Sequence, residues 1–153
     1  MLERIRAFFG RNAAPEKRPD SARLAVAALL VEAARADEHY DEREKRLIDA
    51  SLVDFFGVTD DEATALRAEA ETAQNAANDL HRFTKIAKAL AAADKVRLVE
   101  ILWTIVLSDD RRDPHEDAMI RRVCGLIYVS DPESGAARRR AAQGLAAAGG
   151  ARL

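Results

Sequence analysis

The stretch "ARADEHYDEREKRLI", residues 34–48, has a counterpart later in the chain, "VLSDDRRDPHEDAMI", residues 106–120. A shift of 72 residues aligns their acidic side chains in pairs: Asp37 with Asp109, Asp41 with Asp113, and Glu44 with Glu116. The apolar segment before each stretch and the amphipathic segment after it align in the same register. Two copies of a helix–acidic turn–helix unit predict an internal duplication with an approximate twofold arrangement.

Helical periodicity dominates the rest of the chain. Segments such as "SARLAVAALLVEAARA" and "DKVRLVEILWTIVLS" are apolar on most sides, and no segment alternates with period two for long. These patterns predict an all-α bundle of about seven helices without a sheet. The first of these helices is expected to begin at an Asp20–Ser21 cap, and Trp103 is expected to lie in the core.

The chain divides into three regions. Residues 1–20 form a short amphipathic hook, with its apolar residues on one face, and a linker with two prolines. Residues 21–147 form the helical domain, and residues 148–153 form a frayed tail. The hook is expected to pack on the domain or on a second copy of the chain, and the alternative is an anchor on a membrane surface or a partner.

Composition excludes several classes of function. The formal net charge is -2, so the chain as a whole has no electrostatic attraction for nucleic acid or acidic membranes. Its single cysteine, Cys124, rules out an internal disulfide and indicates a buried thiol. The longest apolar run, residues 24–31, is too short to span a bilayer. The charged N-terminus does not match a signal peptide, so a cytoplasmic location is expected.

Helix capping explains only half of the acidic residues in the two turns. Asp41 with Glu44, and Asp113 with Glu116, have the spacing of a capping box at the start of the next helix. The remaining acids sit where the preceding helices end, which the helix dipole disfavours by roughly 0.3–1 kcal/mol each: Asp37, Glu38, Asp109 and Asp110. They require a positive partner, either a nearby arginine (Arg35, Arg43, Arg111 or Arg112) or a divalent cation.

Carboxylate oxygens at both turns favour calcium or magnesium over zinc or copper. The turns are not EF-hands, because they lack the central glycine and the final bidentate glutamate. Each turn alone offers few ligands, so binding is expected to be weak unless the two turns share an ion. His39 could join the carboxylates around zinc, although one imidazole is a weak zinc signal.

The paired acidic turns, together with "DLHRFTKIAKAL", "VEILWTIVLSDD" and "IRRVCGLIYVS", resemble the TerB-like (tellurite-resistance protein B) family over roughly residues 21–140. The resemblance implies a compact helical domain with an acidic, metal-binding surface, linked to tellurite and other stress resistance. Its motif positions imply six metal ligands: Asp37, Asp41, Glu44, Asp109, Asp113 and Glu116. The family usually has glycine after the first Asp of each turn, where this chain has Glu38 and Asp110.

The resulting interpretation is a non-enzymatic stress-response module, cytoplasmic or peripheral to the inner membrane. It binds Ca²⁺ or another divalent cation weakly, docks on a protein partner through the acidic turns, or does both. The sequence is compatible with either a monomer or a homodimer. Neither nucleic-acid binding nor a transmembrane segment is expected. The alternative is a metal-independent adaptor that recognises a basic protein partner. A metal-dependent hydrolase is a third reading, for which the sequence names no general base.

Overall fold

The computed structural model describes residues 18–36, 39–77, 80–109 and 114–150, which form seven α-helices and no strand. The predicted all-α class with about seven helices is therefore confirmed. In chain order the helices are α1 (Arg18–Arg35), α2 (Glu42–Phe56), α3 (Asp60–Ala77), α4 (Leu80–Ala87), α5 (Ala92–Leu107), α6 (Pro114–Ile127) and α7 (Asp131–Gly150). Residues 1–17 of the predicted hook and linker, and residues 151–153 of the predicted tail, lie outside the described ranges.

The first helix begins earlier than the sequence suggested. It starts at Arg18, so the prediction of a cap at Asp20 and Ser21 was wrong. Pro19 occupies the first turn, where its fixed φ suits a helix and its missing N–H has no intrahelical acceptor to lose. The proline that was read as part of a linker therefore belongs to the helix.

The core surrounds α1, which packs against α2 through α6. Every side chain from Ala25 to Val31 is fully buried. Alanines Ala63 and Ala70 on α3 are also fully buried and allow close approach to α1. Helix α5 packs against α1 and α7, and its Trp103 is buried as predicted, with Nε1 donating to Ser134 Oγ at 3.1 Å. The core is thus built from small and branched aliphatic residues around two apolar helices.

The duplication covers three helices in each half. Helices α1, α2 and α3 correspond to α5, α6 and α7, with α4 inserted between the two sets. The α1–α3 and α5–α7 pairs pack closely, and α1 and α5 meet between the halves. Cross-contacts also correspond, because α2 touches α5 and α6 touches α1. These matching contacts support the predicted twofold arrangement.

The same type of turn joins the second helix to the third helix in each half. The two turns read "GVTDDE" from Gly57 and "YVSDPE" from Tyr128. The separation of these two turns along the chain is one residue shorter than that of the two acidic turns. Gly57 and Tyr128 both adopt left-handed backbone conformations, with φ of 68° and 65°. The valines that follow are buried, and each turn ends in a capping box, Thr59 with Glu62 and Ser130 with Glu133. This longer repeat was not recognised from the sequence.

Candidate functional site

The two acidic turns join α1 to α2 and α5 to α6. Four of the six predicted metal ligands lie within the described residues: Asp41, Glu44, Asp109 and Glu116. The other two, Asp37 and Asp113, lie outside them, as do Glu38 and Asp110. The described part of the candidate site therefore consists of Asp41, Glu44, Asp109, Glu116 and the residues that contact them.

The predicted capping box at the first turn is present. Asp41 Oδ1 accepts a hydrogen bond from the Glu44 backbone N–H at 2.9 Å, and Glu44 Oε1 accepts one from the Asp41 N–H at 3.3 Å. Both bonds satisfy N–H groups that the first turn of α2 leaves without helical partners. Asp41 is exposed, whereas the Glu44 residue is only 3% exposed.

Glu116 occupies the position in α6 that Glu44 occupies in α2, and it is 1% exposed. Burial of a carboxylate is costly unless hydrogen bonds or positive charge compensate for the lost hydration. Glu44 and Glu116 are the two acidic residues buried to this degree among the described side chains. Their equivalence means that each half of the domain directs one glutamate inward beneath its acidic turn.

A direct contact links the two turns. Arg43, in the first turn of α2, donates from Nη2 to the backbone carbonyl of Ser108 at 2.8 Å. Ser108 follows the last residue of α5 and immediately precedes Asp109. The C-terminus of α5 carries partial negative charge, which a guanidinium stabilises. Arg43 was one of four arginines proposed from the sequence as the cation that the acidic cluster requires, and it lies at the second turn.

The first turn is held against α3 by Tyr40. Its hydroxyl donates to Glu71 Oε2 at 2.5 Å, and Arg67 Nη1 donates to the same oxygen at 2.9 Å. Arg35 and Lys45 lie over the Tyr40 ring, at 5.1 and 5.2 Å from its centroid. Burial, and then the hydrogen bond and charge of Glu71, raise the pKa of Tyr40 well above its usual value. The phenol therefore stays protonated and continues to donate.

Arg67 connects this contact to α2. Its Nε donates to Asp49 Oδ1 at 2.6 Å, so one guanidinium bridges carboxylates of α2 and α3. Tyr40, Arg67 and Asp49 were not singled out from the sequence, and no local pattern marks them. Their side chains fix the turn's position, so they are supporting residues of the candidate site.

The described residues do not by themselves form a metal centre. Within the described ranges, no group of three or more His, Cys, Asp or Glu side chains could hold a metal ion. Two of the six predicted ligands, Asp37 and Asp113, are outside those ranges. His39 is exposed, and His115 lines a groove of about 410 Å³ with Glu32 and Arg122. The metal assignment therefore stays a prediction.

Comparison with known proteins identifies the family. The family model described as "Tellurite resistance protein TerB" matches residues 23–139, more than half of the chain. Neither the curated proteins nor the solved structures gave a match. In the part of the chain that the structure describes, no helix is long and apolar enough to cross a membrane. The matched segment contains both acidic turns, five of the seven helices in full, most of α1 and the start of α7, and the chain belongs to the TerB family.

Proposed function

We propose that this protein is a non-enzymatic stress-response module whose paired acidic turns act together as one surface. This surface binds a divalent cation weakly and docks on a protein partner in the cytoplasm or at the inner membrane surface. The observation that carries the proposal is the Arg43–Ser108 hydrogen bond of 2.8 Å, because it brings the start of α2 to the second acidic turn. Arg43 and Ser108 are 65 residues apart in the chain, and their hydrogen bond makes the ends of the two turns adjacent in the fold.

The chemistry of the surface suits a hard cation. Asp37, Asp41, Glu44, Asp109, Asp113 and Glu116 supply carboxylate oxygens, which calcium and magnesium prefer. Glu44 already accepts a capping hydrogen bond, which leaves it fewer lone pairs for a metal. Modest affinity is therefore expected, with Ca²⁺ or a similar ion bound only when the two turns contribute ligands together.

Calorimetric titration tests cation binding. We expect Ca²⁺ or Mg²⁺ to give saturable heats with the wild-type protein, and Asp37→Asn/Asp109→Asn to abolish them. At ten times the dissociation constant, binding should stabilise the fold by about 1.4 kcal/mol, a rise in Tm of about 3–5 °C. Zn²⁺ should bind no more tightly than Ca²⁺, because the expected ligands are oxygens.

Asp60→Asn/Asp61→Asn is the matched control. It also removes two exposed carboxylates, but at the start of α3, across the length of α2 from the first acidic turn. Its heats should equal those of the wild type. Negligible heats for all three proteins, with no change in Tm, would remove the metal proposal.

The adaptor alternative is favoured by the same arginine. Because Arg43 already supplies a cation at the C-terminus of α5, the acidic turns can serve as a docking surface without a metal. This alternative predicts association with a basic partner that weakens with salt and is insensitive to chelators. Arg43→Ala separates the two readings: removal of the neighbouring charge should raise Ca²⁺ affinity by about 3- to 10-fold if a cation binds there. An adaptor would show no Ca²⁺ binding with or without Arg43.

A further inference from the structure

The C-terminal end of α6 carries an aromatic residue in an unfavourable backbone conformation. Tyr128 has φ of 65° and is 73% exposed, the one large apolar side chain so exposed among those described. Its counterpart in the other half is Gly57, with φ of 68°. Glycine adopts this left-handed conformation at little cost, whereas a tyrosine is strained by its Cβ. Glycine makes the equivalent turn in the other half, so the left-handed conformation does not require a tyrosine.

Gly125, inside α6, lowers the stability of that helix without a packing reason. Gly125 lies within the helix and is exposed, and a Cβ added there would meet nothing within 4 Å. Alanine would therefore fit and would favour the helix. A glycine in that setting leaves open space directly above the backbone, which allows another chain to approach closely.

Basic side chains of α4 and α6 lie near these two residues, and the next acidic residues along the chain are Asp131 and Glu133 at the start of α7. Helix α4 packs against α6, and Lys88, just past the end of α4, places Nζ 5.7 Å from the centroid of the Tyr128 ring. The sequence contains no Asp or Glu from residue 80 to 93 or from residue 118 to 130, and these segments contain five Lys and Arg residues. In a chain of net charge -2 this is a local excess of positive charge. We call the exposed residues Lys85, Lys88, Arg122, Gly125 and Tyr128 the α4–α6 face.

We propose that the α4–α6 face binds an acidic segment of a partner protein. Lys88 and Arg122 pair with its carboxylates, Tyr128 packs its ring against the segment, and Gly125 admits the partner's backbone. An extended chain fits the open space over Gly125 better than a lipid surface does, because a flat bilayer gains nothing from a missing Cβ. Tyr128 and Gly125 are separate from the acidic turns, because they lie towards the opposite end of α6, and Tyr128 is roughly 20 Å from the start of that helix. Arg122 lies between them and the second acidic turn.

The test uses three synthetic peptides of equal length and identical apolar residues, whose variable positions are all Glu, all Gln or all Lys. Fluorescence anisotropy at physiological salt measures their binding to the full chain. The wild type should bind the Glu peptide at least about tenfold more tightly than the Gln peptide, and the Lys peptide least. Tyr128→Gly, Gly125→Leu and Lys88→Ala/Arg122→Ala should each weaken binding of the Glu peptide by about tenfold.

Two controls keep this test decisive. Arg46→Ala/Arg139→Ala removes two exposed arginines from other helices and should leave binding of the Glu peptide unchanged. Tyr128→Gly should also raise Tm by about 2–4 °C, because it relieves backbone strain. A variant that folds more stably yet binds more weakly cannot owe its weaker binding to unfolding.

Three outcomes would overturn the proposal. The first is equal affinity for the Glu and Gln peptides, and the second is selective binding that survives both Tyr128→Gly and Gly125→Leu. The third is binding to vesicles of anionic lipid without affinity for the Glu peptide, which would assign the face to a membrane. Ca²⁺ titration of the same variants should match the wild type, so failure here is distinguishable from failure of the acidic-turn proposal.

Discussion

Arg67→Met is expected to lower the free energy of unfolding by about 3 kcal/mol at pH 7, with a fall in Tm of about 6–12 °C. The Arg67 guanidinium bridges Asp49 and Glu71, whose side chains are only 19% and 22% exposed. Methionine retains much of the apolar stem but removes the cation that bridges the two carboxylates. Removal of one partner of a largely buried ion pair is strongly destabilising, because the remaining charge is not rehydrated.

The loss should depend on pH. Burial alone would raise the pKa of Glu71, but hydrogen bonds from Tyr40 and Arg67, together with the charges of Arg67 and Lys45, outweigh it and lower the pKa. A lowered pKa in the folded state means that Glu71 contributes stability above its unfolded pKa of about 4.3, and that this stability is lost as pH falls through the folded pKa. The difference between Arg67→Met and wild type should therefore be largest near pH 7 and shrink towards pH 3.

Urea unfolding at a series of pH values measures this difference. Arg46→Met, an exposed arginine on α2, is the matched control and should stay within about 0.5 kcal/mol of the wild type. A loss in Arg67→Met of less than about 0.5 kcal/mol, or one that is equal at pH 7 and pH 3, would contradict the structural role assigned to this bridge.

Leu30→Ala and Leu102→Ala are each expected to destabilise the domain by about 3–5 kcal/mol. The two leucines are equivalent in the repeat, lie on α1 and α5, and are both fully buried. Because α1 and α5 meet between the two halves, each truncation opens a cavity in the core that its neighbours can fill only in part. If the duplication extends to the core, the two losses should agree within about 1 kcal/mol.

Leu145→Ala is the control for this pair, since Leu145 lies near the end of α7 and is only partly buried. It should cost less than about 1 kcal/mol by the same denaturant measurement. A large loss for one core leucine and a small loss for its counterpart would show that the two halves do not share an equivalent core.

The parts of the fold that the sequence predicted correctly depend on local interactions. The Asp41–Glu44 and Thr59–Glu62 capping boxes each join residues three positions apart, and the apolar face of each helix repeats within the helix. The start of α1 was misjudged because Asp20 and Ser21 are good caps in isolation, while Pro19 suits a first turn equally well. The third helix of each half was predicted as a helix, but the correspondence between the two was missed because Tyr128 replaces the glycine expected in a left-handed turn.

The candidate site could be predicted only in outline. The acidic residues and their recurrence are visible in the sequence. Arg43 is also visible there, as one of four nearby arginines that could neutralise them. Its acceptor, the Ser108 carbonyl, is 65 residues away and belongs to the other half of the domain. The contacts of Tyr40 with Glu71 and of Arg67 with Asp49 likewise depend on how α2 and α3 pack. Such pairs follow from tertiary structure, which residue spacing along one helix does not encode.

The proposal that the two acidic turns act as one cation-binding surface is tested most directly by Mn²⁺ titration followed by NMR. Mn²⁺ prefers oxygen ligands and broadens the signals of nearby amides, so it reports which residues surround the ion. The account predicts that amides at Asp41–Glu44 and at Ser108–Asp109 broaden together, with one saturation curve, and that Ca²⁺ reverses the effect. Broadening at one turn alone, separate saturation curves for the two turns, or no site-specific broadening would contradict it.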